Sequence, residues 1–242
     1  MQLHVRVFDD ADLLADLAAT AIARSLRSAM AEHDGPVSLF LSGGSTPRIT
    51  YTRLVDQELD WSRVHLFLGD ERWVDTDHQD SNARMAREAF VEDIEATFHV
   101  LPTHFQSPHD AADHYEQTLA ELFGSETFRA DLVILGLGTD GHTASLFPGT
   151  EALDDSDRLF VANWVPDKEM WRLSATFRLL HHASEVVFLV TGQTKAEVVA
   201  QILEGGVAYP ARTVMEGAAD VTWYLDRAAA AHLSEEFLAE HG

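Results

Sequence analysis

The chain has 242 residues, 46% hydrophobic and 24% charged, enough to bury one sizeable α/β core and ordinary for a soluble globular protein. Forty acidic residues against 17 basic ones give a net charge of −23, which argues against nucleic acid as a partner because a phosphate backbone demands a basic face. There is no cysteine, which excludes disulfides, thiolate zinc sites and a thiol nucleophile, and no apolar run approaches the length of a membrane span.

The opening residues lack a basic start followed by an apolar stretch, so they do not read as a secretory signal, and the cytoplasm is the expected compartment. Residues 4–8 read as an edge strand. Residues 10–31 place Leu14, Leu17, Ala18, Ala21 and Ile22 on one helical face. A buried strand at 37–41 runs into Gly43-Gly44, after which Ser45 and Thr46 can cap a helix opened by Pro47 and reaching Glu58. Residues 64–70 form a second buried strand. Asp80-Ser81 is a helix start, with Ala86, Phe90 and Ile94 on one face. A short strand is expected at 99–102, a helix at 110–123, and the most apolar strand at 131–138.

The second half reads similarly: strands at 159–164 and 171–176, a short helix at 177–183, a buried strand from Glu185, a helix capped by Thr194 and ending near Leu203, and a last strand at 221–226. Strands that are apolar throughout are buried on both faces, which predicts a mainly parallel sheet with helices on each side, in a single domain spanning 1–242. Ligands in such sheets gather at the carboxyl ends of the strands. The loops after Leu41, Leu68, Leu135 and Val190 therefore form one candidate site.

The first of these loops, "SGGSTPR" at 42–48, joins a tight turn to a helix N-terminus, which is a ready anion site or simply a capped turn. The second, "GDERWV" at 69–74, sets Asp70, Glu71 and Arg72 where a buried strand emerges. It is either a surface salt-bridge cluster or an arginine for an anionic oxygen beside an aspartate that orients polar groups or moves protons. The third, "LGLGTDGHTASLFPG" at 135–149, has the Gly136-x-Gly138-x-x-Gly141 spacing of a dinucleotide-binding loop. The next strand offers no acid at its end, however, and Pro148 comes too early for a crossover helix, so no nucleotide cofactor is expected. The glycines instead let the chain turn so that Asp140 and His142 face the pocket. A histidine titrating near neutrality can take a proton from water while a carboxylate orients its ring.

Arg172 and Lys195 complete the inventory; each could be an ordinary surface charge. Lys195 and Lys168 are the chain's two lysines. An acidic chain that binds an anion must concentrate its few cations and backbone N–H groups in one place. The segment around His78 is a minor candidate for a divalent cation, and the absence of His-Glu-x-x-His gives no support to a catalytic zinc.

Taken in order, "LSGGSTPR", "LGDERWV", "DSNARMAREAF", "LGLGTDGHTASLFPG" and "WRLSATFRLLHHASEVVFLVTGQTKAEVV" resemble the 6-phosphogluconolactonase family over nearly the whole chain. The resemblance implies a three-layer modified Rossmann-like α/β sandwich related to glucosamine-6-phosphate deaminases, with no cofactor and no metal. The implied reaction is hydrolysis of 6-phospho-D-glucono-1,5-lactone to 6-phospho-D-gluconate, the second step of the oxidative pentose phosphate pathway. His142 matches the base that activates water, and Asp140 is given an orienting role. Arg72 lies near the reacting end of the sugar, with Asp70 beside it. Ser42, Gly43, Gly44, Ser45, Thr46, Arg172 and Lys195 match segments that hold the 6-phosphate. Arg48 stands where many relatives have lysine, and Asn82 belongs to a Ser-Asn pair that fixes the loop after Arg72. The implied partner is the small-molecule substrate alone, with the chain a monomer or homodimer. The deaminase branch follows its Asp-Gly-His turn with Ile-Ala-Phe-Asn-Glu-Pro and carries Asp-Glu-Tyr in the earlier loop. This chain has "TASLFPG" and Asp-Glu-Arg, which favour the lactonase. A silent sugar-phosphate sensor would be expected to lack His142 or Arg72, and both are present.

Overall fold

The computed structural model describes residues 2–124, 128–155 and 157–242. Its centre is a seven-stranded sheet flanked by helices. In spatial order the strands are β1 (Gln2–Phe8), β10 (Asp220–Asp226), β9 (Glu185–Val190), β6 (Leu132–Leu135), β2 (Val37–Leu41), β3 (Val64–Leu68) and β5 (Thr97–His99). Every neighbouring pair in it is parallel. β2 and β6 are buried along their whole length, as unbroken apolar strands must be when helices cover both faces.

The chain builds outward from the centre in two directions, β2–β3–β5 one way and β6–β9–β10 the other. The point where the order reverses lies between β2 and β6, and a crevice forms there outside the strand ends. The helices are α1 (Ala11–Glu32), α2 (Ser45–Leu54), α3 (Asn82–Ala89), α4 (Pro108–Phe123), α5 (Phe177–His181), α6 (Ala196–Leu203), α7 (Pro210–Gly217) and α8 (Glu235–His241). α1 begins where Asp10 accepts a hydrogen bond from the Leu13 amide, and α3 where Ser81 accepts one from the Arg84 amide.

The sequence reading needs correction in several places. The segment 64–70 is not one strand. It breaks at Gly69, whose amide donates to Leu41 O (2.7 Å) and whose carbonyl accepts from the Ala175 amide (2.8 Å). Asp70–Arg72 then forms β4 of a second, antiparallel sheet with β8 (Met170–Ala175) and β7 (Phe160–Val165). The strands expected at 159–164 and 171–176 are therefore a hairpin; the four residues between them are too few for a parallel crossover.

β5 lies earlier than expected, and α2 ends at Leu54 rather than Glu58. Ser45 and Thr46 do not cap α2: Gly44 occupies the cap at φ 116° with no side-chain bond, so Ser45 opens the helix. Thr194 does not cap α6 either. It sits inside a short turn that begins after Gly192, a residue held at φ 98° with its amide on the Asp226 carboxylate. The reading omitted α7 and α8. The two sheets share one core, in which Phe40 of β2 stacks on Phe67 of β3 (5.0 Å) and faces Phe160 of β7 (6.4 Å).

Candidate active site

The loops after β2, β3 and β6, the arginine of β8 and the start of α6 enclose a cavity of about 430 Å³. Of the residues singled out from sequence, Ser42, Gly43, Gly44, Asp70, Arg72, His142, Arg172 and Lys195 line it. Asp140, Ser45 and Thr46 do not. Asp140 stands behind His142, Ser45 is exposed at the start of α2, and Thr46 is buried with its hydroxyl 2.7 Å from that of Thr191. The sequence reading missed Lys168 as a lining residue, along with Leu137, Thr143, Ala144 and Phe147. Both of the chain's lysines thus face one cavity, a signal available from the lysine count.

His142 is held on three sides. Its Nδ1 lies 2.5 Å from Asp140 Oδ1, its carbonyl accepts from the Gly138 amide (2.8 Å), and its ring stacks on Phe147 at 3.9 Å. Burial drives the His142 pKa below the ordinary value of 6.5, against the upward pull of the Asp140 charge and hydrogen bond, so the ring is neutral near neutral pH. Burial pushes the Asp140 carboxyl up, but His142 outweighs it and the net shift is downward, so Asp140 is a carboxylate and can only accept. The hydrogen on neutral His142 therefore sits on Nδ1, which leaves Nε2 with a free lone pair.

The glycines are dictated by this packing. A Cβ on Gly138 would lie 2.1 Å from His142 Nδ1 and 2.4 Å from Asp140 Oδ1. One on Gly141, at φ 79°, would lie 2.2 Å from the Tyr209 ring, and the Gly141 carbonyl accepts from the Ala211 amide (3.1 Å). The unforeseen α7 thus buttresses the turn that carries His142.

Opposite this turn the small sheet sets Arg72 directly across the ladder from Arg172. Arg72 Nη1 donates to Asp80 O at 2.6 Å. Burial lowers the Arg172 pKa, with Asp70 opposing and Arg72 reinforcing the shift. Asp70, 7% exposed, accepts from Ser145 Oγ (2.6 Å) and Asn82 Nδ2 (3.2 Å). Glu71, 1% exposed, accepts from the amides of Arg72, Asn82 and Ala83 (each 2.8 Å) and from Ser81 Oγ (2.9 Å). Burial raises its pKa despite these four bonds. Glu71 is the clamp between Arg72 and the start of α3, and its location on a three-residue strand gave sequence reasoning nothing to read. Asn82 packs its amide so close to Gly43 that a Cβ there would meet Asn82 Oδ1 at 2.0 Å.

Lys195 Nζ donates to Leu137 O at 2.6 Å, which ties the start of α6 to the loop after β6. Burial lowers its pKa, offset in part by Asp140. Lys168 stands exposed at the tip of the β7–β8 hairpin. Four buried polar atoms of lining residues find no partner among the described residues: Ser42 Oγ, Arg72 Nε, Asn82 Oδ1 and Arg172 Nε. Buried polar atoms are paired as a rule, so four unpaired ones around one cavity make it the candidate site for a polar ligand. The candidate cation site at His78 is not formed. The ring instead accepts from the Asp80 amide at 3.1 Å, and among the described residues no group of three or more His, Asp or Glu is arranged to hold a metal.

A family model described as glucosamine-6-phosphate isomerases/6-phosphogluconolactonase matches residues 9–223. The chain belongs to this family. Among its relatives, the 6-phosphogluconolactonase of Synechocystis sp. is 40% identical over 96% of this chain and 99% of its own. That of Nostoc sp. is 39% identical over 97% of this chain and 100% of its own. The solved structure of 6-phosphogluconolactonase from Trypanosoma brucei matches with a TM-score of 0.85 at 30% identity, covering 96% of this chain and 99% of that one. A monomeric glucosamine-6-phosphate deaminase, 21% identical with a TM-score of 0.81, shares the fold. The family fold is thus the three-layer α/β sandwich described above. No helix among the described residues is long and apolar enough to cross a membrane.

Proposed function

We propose that this chain is a 6-phosphogluconolactonase. It hydrolyses 6-phospho-D-glucono-1,5-lactone to 6-phospho-D-gluconate in the oxidative pentose phosphate pathway, with His142 as the base. The observation that carries the reading is the convergence, in one cavity, of a neutral carboxylate-oriented histidine with Arg72, Arg172, Lys168 and Lys195 on a chain of net charge −23. A lactone is an activated ester that needs positioning, a base for water and donors for the developing oxyanion.

His142 Nε2 takes a proton from the attacking water, and the Asp140 carboxylate stabilises the imidazolium that forms. The same proton returns to the ring oxygen as the carbon–oxygen bond breaks. Arg172, Lys195 and the 42–44 loop hold the 6-phosphate. Arg72 sits at the reacting end. Asp70, with both carboxylate oxygens bonded, balances the arginine pair and orients Ser145 and Asn82. All of these groups come from one chain, so the site is complete in a monomer and in a homodimer alike. A cytoplasmic location fits the reading.

The test is hydrolysis of freshly generated 6-phosphogluconolactone without added metal, spontaneous hydrolysis subtracted, for wild type and His142→Ala, with glucosamine 6-phosphate run beside it. Expected are rapid wild-type turnover, a loss of about a hundredfold or more in the variant, and no ammonia from the amino sugar. A wild-type rate equal to the spontaneous one removes the assignment. An active enzyme indifferent to His142→Ala removes the role of the histidine.

A further inference from the structure

We propose that the backbone amide of Ala144 is a catalytic donor that hydrogen-bonds the lactone carbonyl oxygen as it becomes an oxyanion. The proposal rests on the lactone-hydrolysis reading above. Ala144 lies two residues beyond His142 and is held at φ 49°, in the left-handed region that a side chain disfavours. The other non-glycine residue in that region among those described is Glu169, at the tip of the β7–β8 hairpin. Strained backbone persists where its surroundings enforce it, and it collects at functional sites.

The surroundings here are specific. Ala144 packs against the hydrophobic core and also lines the cavity. Several neighbouring polar groups are engaged. Thr143 Oγ1 donates to Gly136 O (2.8 Å), the Ser145 amide to Ser174 Oγ (3.1 Å) and the Leu146 amide to Thr143 O (3.0 Å). The Ala144 amide has no acceptor among the described residues. An N–H without an acceptor among the described residues, on a half-buried, strained residue that lines the cavity two positions after the base, fits the arrangement an oxyanion donor requires.

In the reaction the water oxygen bonds to C1 and its proton passes to His142 Nε2. The π pair of the carbonyl moves onto its oxygen, which is the charge the Ala144 amide stabilises. The pair returns as the bond from C1 to the ring oxygen breaks and that oxygen takes the proton from His142. An amide donor held by packing needs no reorganisation when the charge appears.

The test replaces the Ala144 residue by lactic acid through a suppressor tRNA, which keeps the methyl and exchanges N–H for an ester oxygen. Expected is a fall in kcat of about a hundredfold with KM for the lactone nearly unchanged, and no change in the unfolding midpoint. Ala144→Gly, which keeps the N–H, holds kcat within about tenfold of wild type. An ester enzyme with near wild-type kcat, a loss confined to KM, or Ala144→Gly as impaired as the ester overturns the proposal. So does an ester chain that fails to fold, because the amide would then have a structural partner. A wild-type chain inactive on the lactone brings down the functional reading instead, and the two failures are distinguishable.

Discussion

The seven-stranded sheet and the three-stranded sheet meet at Gly69 and are built on opposite terms. In the large one, β2 and β6 are buried end to end and carry a single polar side chain between them, Ser38. In the small one, β4 consists of Asp70, Glu71 and Arg72, with Arg72 facing Arg172 across the ladder. Like charges directly opposite on antiparallel strands are destabilising by up to about 1 kcal/mol, and a buried carboxylate is costly unless it is bonded. The central strands of the large sheet are shaped by burial. The small one departs from the rules of burial where an anionic ligand can complete the charge balance, and such departures concentrate at functional sites.

The comparison can be broken most sharply at Glu71. Glu71→Gln sets an NH2 group against two of the four donors that now meet a carboxylate, so it should cost about 3 kcal/mol of stability, read from denaturant unfolding. A loss near zero would mean that the small sheet does not depend on its buried charge.

Gly138→Ala tests the turn after β6. Its Cβ would displace both His142 and Asp140, so kcat should fall about thirtyfold with a much smaller change in KM; near wild-type turnover would contradict the packing argument.

A third prediction concerns pH. Because burial holds the His142 pKa below 6.5, kcat/KM should stay level through neutrality and fall only as acid protonates the ring below that value. Asp140→Asn removes the charge that pulls this pKa upward, so its acid limb should move to lower pH while the rate drops. A limb that moves upward would remove the assigned coupling.

The smallest effect belongs to the large sheet. His99, whose Nε2 lies 3.0 Å from His65 Nδ1, is held down to about 4 by burial and by the His65 charge. The unfolded chain therefore binds more protons between about 4 and 6.5, so stability is full above 6.5 and is lost as the pH falls through that window. His99→Phe should flatten that dependence, as measured by thermal unfolding at pH 5 against pH 7.

Sequence and structure agree most closely where burial alone decides the outcome. The mainly apolar runs of β2, β3, β6 and β9 announced a parallel sheet, and the glycines that follow those runs located the cavity. What escaped the reading depends on contacts across the chain. The facing of Arg72 and Arg172 follows from ladder register, which no local period encodes. The four-residue link before β8 did carry the hairpin signal, because parallel strands need a longer crossover. Glu71 is held by three backbone amides, and amides are invisible in a sequence. Lys168 was visible only as one of two lysines, without a place to put it.

The division of labour between the two sheets is tested most directly by the steady-state parameters of Arg172→Gln on 6-phosphogluconolactone. A phosphate held equally in ground and transition states contributes to KM rather than kcat. The account predicts a rise in KM of about tenfold to a hundredfold, with kcat nearly that of wild type. A fall in kcat at unchanged KM would place Arg172 at the reacting end of the sugar and contradict its assignment to the phosphate.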